Sequence, residues 1–373
     1  MFRFVCRRFI MACRATSLGR ESDMNDLRES KTGRIRDYYF DNYRAILIMS
    51  VVMLHAVTIF AGGFSRYGYF REFMYIYAMP GFCFISGYFC RKPDFKKSCK
   101  SLLVPYLVMQ TVTILCTKFI WGQTWERSFL MPKFALWFLL SLLIWRTVLP
   151  VVKNVQGILW MSIVCSLLFG YDKYADGVLS VGRTVVLFPF FLMGHFFQKE
   201  KISMLAKKWW GKLLAVVLLA GLFLLEVKYY KQIPHKLMMG SAPYEDIKQI
   251  VYRWAWLWRL SYYAVCTLSV YLLAVLMPAG KNFITRVGQH TMPIYLSHTL
   301  IMRTIAYCTD WEKYIGSPFS VFVVFLICIG YCFFVASKPV SRMLLWCQKW
   351  IAAGWNQIWR VYVEIYQKIT VRR

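Results

Sequence analysis

Long apolar runs, each about twenty residues, alternate along this chain with short polar or basic segments. Ten such runs lie at 42–61, 70–90, 101–121, 133–150, 155–170, 179–197, 210–228, 254–277, 290–307 and 318–337. A helix that crosses a bilayer needs ~20 mostly apolar residues, so each run predicts one crossing, with the short fifth run the weakest case. The predicted fold is therefore all-α, a polytopic membrane bundle of about ten transmembrane helices. The longest internal connection, 229–253, contains Pro234 and Pro243 and is too short for a domain of its own. The chain divides into a basic N-terminal segment (1–37), a membrane bundle (38–340) and a basic tail (341–373).

The tail has a different pattern. Trp346, Trp350, Trp355, Trp359, Tyr362 and Tyr366 recur at helical spacing among Arg342, Lys349, Arg360, Lys368, Arg372 and Arg373. This predicts a C-terminal amphipathic helix lying on the inner leaflet, with a partner-docking helix as the alternative.

Basic residues set the expected orientation. Arg91, Lys92, Lys96, Lys97 and Lys100 cluster in one connection, and Lys199, Lys201, Lys207, Lys208 and Lys212 in another. Cytoplasmic loops carry such excesses, which places both termini in the cytoplasm of a cell (inner or plasma) membrane protein. The opposite loops hold Glu126, Asp172, Asp176, Glu245, Asp246, Asp310 and Glu312. Lys231, Lys236, Lys248 and Arg253 run against this assignment, but long loops count for less in the rule. The first 23 residues are basic and lack the apolar core of a signal peptide. Met24 opens MNDLRESKTGRIRD, which reads as a cytoplasmic start before the first span; a basic arm on the inner leaflet is the alternative.

Composition narrows the class further. The 373 residues are 58% hydrophobic and 17% charged, which excludes disorder and an ordinary water-soluble enzyme. The 15 Trp, 24 Tyr and 29 Phe suit interfacial aromatic belts. The net charge of +28 is spread between apolar runs rather than gathered in one patch, so no nucleic-acid partner is expected. The 12 cysteines have no metal-ligand spacing, and most lie inside apolar runs, so neither a metal site nor a disulfide framework is expected.

Ionisable residues inside a span carry the functional information, because Arg or Lys at a helix centre costs ~2.5–3.5 kcal/mol on insertion scales. The first span reads DNYRAILIMSVVMLHAV, with Asp41 a predicted N-cap and Arg44 one turn in. His55 follows Arg44 by eleven positions. At 100° per residue the two share one face, about 16 Å apart along the axis. An arginine at the inner mouth suits an anionic donor, and a histidine at depth suits a general base on a hydroxyl. The rival reading is a snorkelling Arg44 and a His55 packed against a neighbouring helix. The ninth span, VGQHTMPIYLSHTLIMR, brings His290 near its inner end, His298 at its middle and Arg303 near its outer end. His298 is expected to meet His55 in the bundle interior. Arg183 and Arg259 are expected to line an outer polar vestibule for a hydrophilic substrate, with Trp254, Trp256 and Trp258 stacking on sugar faces or forming an interfacial belt. His195 is read as ordinary. Ser86–Gly87 is read as a close-packing pair rather than a nucleophile. No phosphate loop, dinucleotide fingerprint, HExxH motif or GxSxG elbow occurs.

The chain resembles acyltransferase family 3, the integral-membrane O-acyltransferases, and in particular the group known as fucose 4-O-acetylase-like. The resemblance is carried by YFDNYRAILIMSVVMLHA with an Arg-X10-His pair at Arg44 and His55. It continues through MPGFCFISGYF (79–89), VPY (104–106), LWFLLSLLIW (136–145), FPFFLMGHF (188–196) and MPIYLSHTL (292–300), in the family's order. It implies a bundle that takes an acetyl group from acetyl-CoA inside and passes it to a hydroxyl of a cell-envelope or exported polysaccharide. His55 matches the family's essential histidine and Arg44 its arginine; His298 matches a recurring late histidine, and Arg183 matches more loosely. His298, Arg183, Arg259 and Asp41 are thus expected to serve substrate binding. Membrane lipids, a glycan or glycolipid acceptor and envelope-glycan assembly proteins are the expected partners. A proton-coupled transporter or glycan flippase, with buried His and Arg as relay and gate, is the alternative.

Overall fold

A computed structural model of the chain describes residues 37–60, 67–122, 129–172, 178–199, 205–234, 236–237, 240, 242–309 and 317–347, with isolated positions between 349 and 357. Every regular element among the described residues is helical. Helices α1 (Tyr38–Phe60), α2 (Gly68–Phe89), α3 (Phe95–Phe119) and α4 (Phe134–Val152) are followed by α5 (Ile158–Phe169), α6 (Val181–Phe196), α7 (Trp209–Tyr229) and α8 (Ala255–Leu276). A short α9 (Thr285–Gln289) leads into α10 (Thr291–Cys308) and α11 (Pro318–Val335). One helix occupies each of the ten predicted runs. Six are long and apolar enough to cross a membrane by length and composition, namely α1, α3, α4, α7, α8 (counted from Tyr252) and α11.

Two predicted boundaries are corrected. The third span begins six residues early, at Phe95, because Asp94 caps it by accepting from the Lys97 amide. It also contains a π-helical turn at Cys99–Leu103. The fifth is a 12-residue helix. At 1.5 Å per residue it is about 18 Å long, short of a ~30 Å hydrocarbon core. Of the tail, helix is described over 338–347, where the Trp346 and Trp350 rings lie 5.4 Å apart; most of 351–373, and residues 1–36 with Met24, lie outside the described residues.

α1 is the central helix, with 16 of its 23 residues buried. Its polar residues fix it to α8 and α9. Tyr39 and Tyr43 donate to the Ala274 and Val270 carbonyls, each at 2.7 Å. The Asn42 amide donates to Pro278 O and Gly280 O and accepts from the Thr285 hydroxyl at 2.6 Å. Ser50 meets the Tyr77 hydroxyl of α2 at 3.0 Å. Such interhelical bonds matter in a bilayer, where no water is at hand to satisfy polar groups.

α2 and α6 approach backbone to backbone. A Cβ on Gly87 would fall 1.8 Å from Phe191 O, and one on Gly194 would fall 1.8 Å from Phe84 O. Small residues at a crossing permit this distance. The outward faces of α5, α7 and α11 expose Trp160, Leu168, Leu213, Val217, Leu224, Phe322, Leu326 and Phe334. A soluble protein rarely exposes so much apolar surface in contiguous faces, and lipid covers it here.

Candidate active site

Helices α1, α2, α3, α4 and α10 enclose a cavity of about 230 Å³. Its wall follows the face of α1 expected from the sequence, through Arg44, Ile48, Val51 and His55. α2 adds Met79, Phe82, Ser86 and Phe89; α4 adds Trp137, Phe138, Leu142 and Arg146; α10 adds Met292 and Tyr295. Leu102, carried by the π-helical turn, reaches the same space. The Tyr295 hydroxyl donates to the Ala135 carbonyl and ties α10 to the start of α4.

One end of the cavity is cationic. The Arg44 guanidinium donates to Asp41 Oδ1 at 2.6 Å and to the Phe40 carbonyl, and lies 5.3 Å over the Phe89 ring. Arg146 lines the cavity from α4, eight positions and ~12 Å of rise beyond Phe138, whose ring meets Tyr295 toward the opposite end.

The other end holds two histidines. The His55 and His298 rings lie 5.1 Å apart, tilted by 52°. His298 is fully buried, and its Nδ1 lies 2.8 Å from Tyr295 O and 3.1 Å from Ile294 O. Carbonyl oxygens only accept, so Nδ1 carries the proton and Nε2 presents a lone pair. That Nε2 has no hydrogen-bond partner among the described residues. Two cations flank this end. Arg183 lies 5.2 Å over Trp137, a residue of the cavity wall, and Arg303 lies 3.7 Å over Phe134, next to the Ala135 carbonyl that Tyr295 holds.

Four of the residues singled out in the sequence thus converge: Arg44 and His55 on the cavity wall, His298 behind His55, and Arg183 one aromatic ring away. Asp41 is placed differently from expectation. It is not an N-cap, because α1 already begins at Tyr38; it is buried within the first turn, pairs with Arg44 and accepts from Gln289 Nε2 at 3.3 Å. Its short carboxylate reaches one turn along the same helix, so it positions Arg44.

Arg259 does not line a vestibule. It is 1% exposed, lies 4.7 Å over the Tyr244 ring and donates to the Ser166 carbonyl at 3.2 Å. Tyr244 in turn donates to Leu167 O, and burial pushes its phenol up to about 12, so Arg259 stacks on a neutral ring. Together they satisfy carbonyls in the last turns of the short α5, which have no intrahelical partners of their own, and they pin the 229–253 connection to it. Trp254 and Trp258 are exposed on the outside of the bundle, which fits an interfacial belt rather than sugar stacking in this cavity. His195 and His290 serve backbone bonds outside the cavity, His195 to Cys90 O at the end of α2 and His290 to Arg286 O one turn back. Among the described residues no cluster of three His, Cys, Asp or Glu side chains is placed to hold a metal.

The sequence reading missed Arg146. The signal was present, an arginine inside LWFLLSLLIWRTVLPVV, but its position near a span end resembles ordinary snorkelling. It also missed that Ser86 lines the cavity while its neighbour Gly87 packs on α6.

Comparison with known proteins bears on this arrangement. A family model described as "Acyltransferase domain" matches residues 37–357, nearly the whole described bundle. Neither the curated proteins nor the solved structures gave a match. With its bundle of apolar helices and a match over most of its length, the chain belongs to acyltransferase family 3 and is a membrane acyltransferase.

Proposed function

We propose that this protein is an O-acetyltransferase that takes an acetyl group from acetyl-CoA on the cytoplasmic side of the cell membrane and transfers it to a hydroxyl of a cell-envelope or exported polysaccharide. The observation that carries the reading is a single cavity with arginines at one end and a histidine pair at the other. His55 lies eleven positions beyond Arg44 on α1, about 16 Å of rise. The arm of an acyl-CoA runs thirteen bonds from thioester sulfur to the nearest phosphorus, about 16 Å when extended at ~1.25 Å per bond. The cavity volume of about 230 Å³ is below the ~300–1,000 Å³ of pockets that enclose a whole drug-sized ligand. It suits a slender arm, with the nucleotide left outside.

In this reading the acceptor hydroxyl approaches His55 from the Arg183 and Arg303 side. His55 removes its proton as the oxygen attacks the thioester carbonyl. Positive charge from Arg183 offsets the oxyanion that develops on the carbonyl oxygen. Collapse breaks the C–S bond, and the proton held on His55 neutralises the departing thiolate. His298, locked as the Nδ1–H form by the Tyr295 and Ile294 carbonyls, packs its ring 5.1 Å from His55 and so restricts how the His55 ring can turn. This order of events leaves CoA and an acetyl ester, with no net change in protons.

Inverted membranes carrying the protein, labelled acetyl-CoA and the host's envelope glycan test this. Wild type should label the glycan, and His55→Ala at matched insertion should fall by about 10²–10⁴-fold, the usual contribution of a general base. Full transfer by His55→Ala, or glycan uptake into proteoliposomes without any acyl-CoA, would overturn the reading.

A further inference from the structure

Arg44 is the arginine that sequence alone offers as the holder of an anionic donor. The structure changes the charge balance at that end of the cavity. Arg44 is engaged at 2.6 Å by the Asp41 carboxylate, a group 1% exposed and fixed within the same helix. An ion pair of this kind carries no net charge, so it attracts a further anion only weakly. Arg146 lies on the same cavity wall and has no carboxylate partner among the described residues. It is half-buried, and its Nε is buried without a hydrogen-bond partner there. A guanidinium in an apolar span costs ~2.5–3.5 kcal/mol on insertion scales and is retained where it meets a partner or marks a site.

We propose that Arg146 is the anion-binding residue of the cavity. It takes a phosphate oxygen of the phosphorylated acyl thioester, while the Asp41–Arg44 pair forms a fixed polar wall beside it. The inference rests on the acyltransferase reading above and refines it, moving the donor's anionic group from Arg44 to Arg146 within the same cationic end of the cavity. Geometry supports it from two directions. Arg146 stands away from the histidine pair and toward Arg44, since the start of α4 meets Tyr295 beside His298, through the Ala135 carbonyl and the Phe138 ring, and Arg146 follows Phe138 by eight positions, ~12 Å of rise. His55 stands at the other end, so a chain anchored at Arg146 presents its thioester to the histidine pair. Guanidinium is also the side chain suited to phosphate, which it binds through two parallel N–H donors.

The test uses the full-length protein in nanodiscs, with binding of CoA, dephospho-CoA and pantetheine measured by calorimetry alongside acetyl-transfer kinetics. Arg146→Gln is expected to weaken CoA binding by about tenfold or more, equivalent to ~1.4 kcal/mol. It should raise KM for acetyl-CoA with a smaller effect on kcat, and Arg146→Lys should restore part of the affinity. The preference of the wild type for CoA over phosphate-free pantetheine should collapse in Arg146→Gln. Asp41→Asn, which releases the Arg44 charge, should bind CoA at least as tightly as wild type. Two failures are distinguishable. Wild type that binds neither CoA nor acetyl-CoA would sink the acyltransferase donor assignment itself. Wild type that binds CoA while Arg146→Gln binds it equally well, with Arg146→Lys equally folded, would sink the role of Arg146 alone.

Discussion

Alanine at Gly87 is a sharp probe of how the bundle holds its cavity. The added Cβ would sit 1.8 Å from Phe191 O and 3.0 Å from the His195 amide nitrogen. Carbon and carbonyl oxygen tolerate about 3.0 Å at the closest, so α2 and α6 must separate by about 1.2 Å along that contact. Backbone atoms stand on the far side, so no side chain is free to swing away. Overpacking of this kind costs about 1–3 kcal/mol. For a chain of 373 residues that converts to a fall in Tm of about 1–4 °C. The measurement is thermal unfolding in nanodiscs followed with a thiol-reactive dye, because Cys83, Cys266 and Cys332 are buried in α2, α8 and α11 and become reactive on unfolding. Gly330→Ala is the control, since its Cβ would enter open space and Tm should hold or rise slightly. Gly194→Ala strains the same crossing from the opposite side, where its Cβ would meet Phe84 O at 1.8 Å. The double variant should therefore lose less than the sum of the singles, because one separation relieves both clashes. Displacement of α2 also moves Ser86 and Phe89, so KM for the donor should rise with the same substitution. A Gly87→Ala protein that melts with the wild type would refute the backbone-contact argument.

Two further expectations separate scaffold from site. Asn42→Ala removes one acceptor and two donors, leaving the Pro278 and Gly280 carbonyls without the amide; a loss of about 2–4 kcal/mol in unfolding free energy should be read by the same melting assay. Arg259→Met keeps the stem but loses the stack on Tyr244 and the bond to Ser166 O, and should cost about 1–3 kcal/mol of stability while KM for acetyl-CoA stays at the wild-type value.

Much of this protein was legible from one-dimensional pattern. Apolar runs determine helices in a bilayer because no other open chain conformation satisfies the backbone there, and all ten runs are helical. The shared face of Arg44 and His55 followed from helical period alone, since both lie on one rigid element. Their joint presence on one cavity wall repeats that arithmetic. The pairing of His298 with His55 was anticipated from depth in the bundle, and the ring distance of 5.1 Å agrees.

Tertiary structure decided what depends on which helix stands beside which. Arg146 and Arg259 look alike in sequence, each one arginine in an aromatic, apolar span. Antiparallel packing turns the first toward the Arg44 end of the cavity and seals the second against Tyr244 and the end of α5. Asp41 reads as a cap until the preceding turn is seen to be helical, and then its carboxylate belongs to Arg44. Helical period gives the direction of a side chain around its own axis. Whether that direction meets lipid, a neighbouring backbone or a cavity is set by contacts between segments distant in sequence, and no local pattern carries that information.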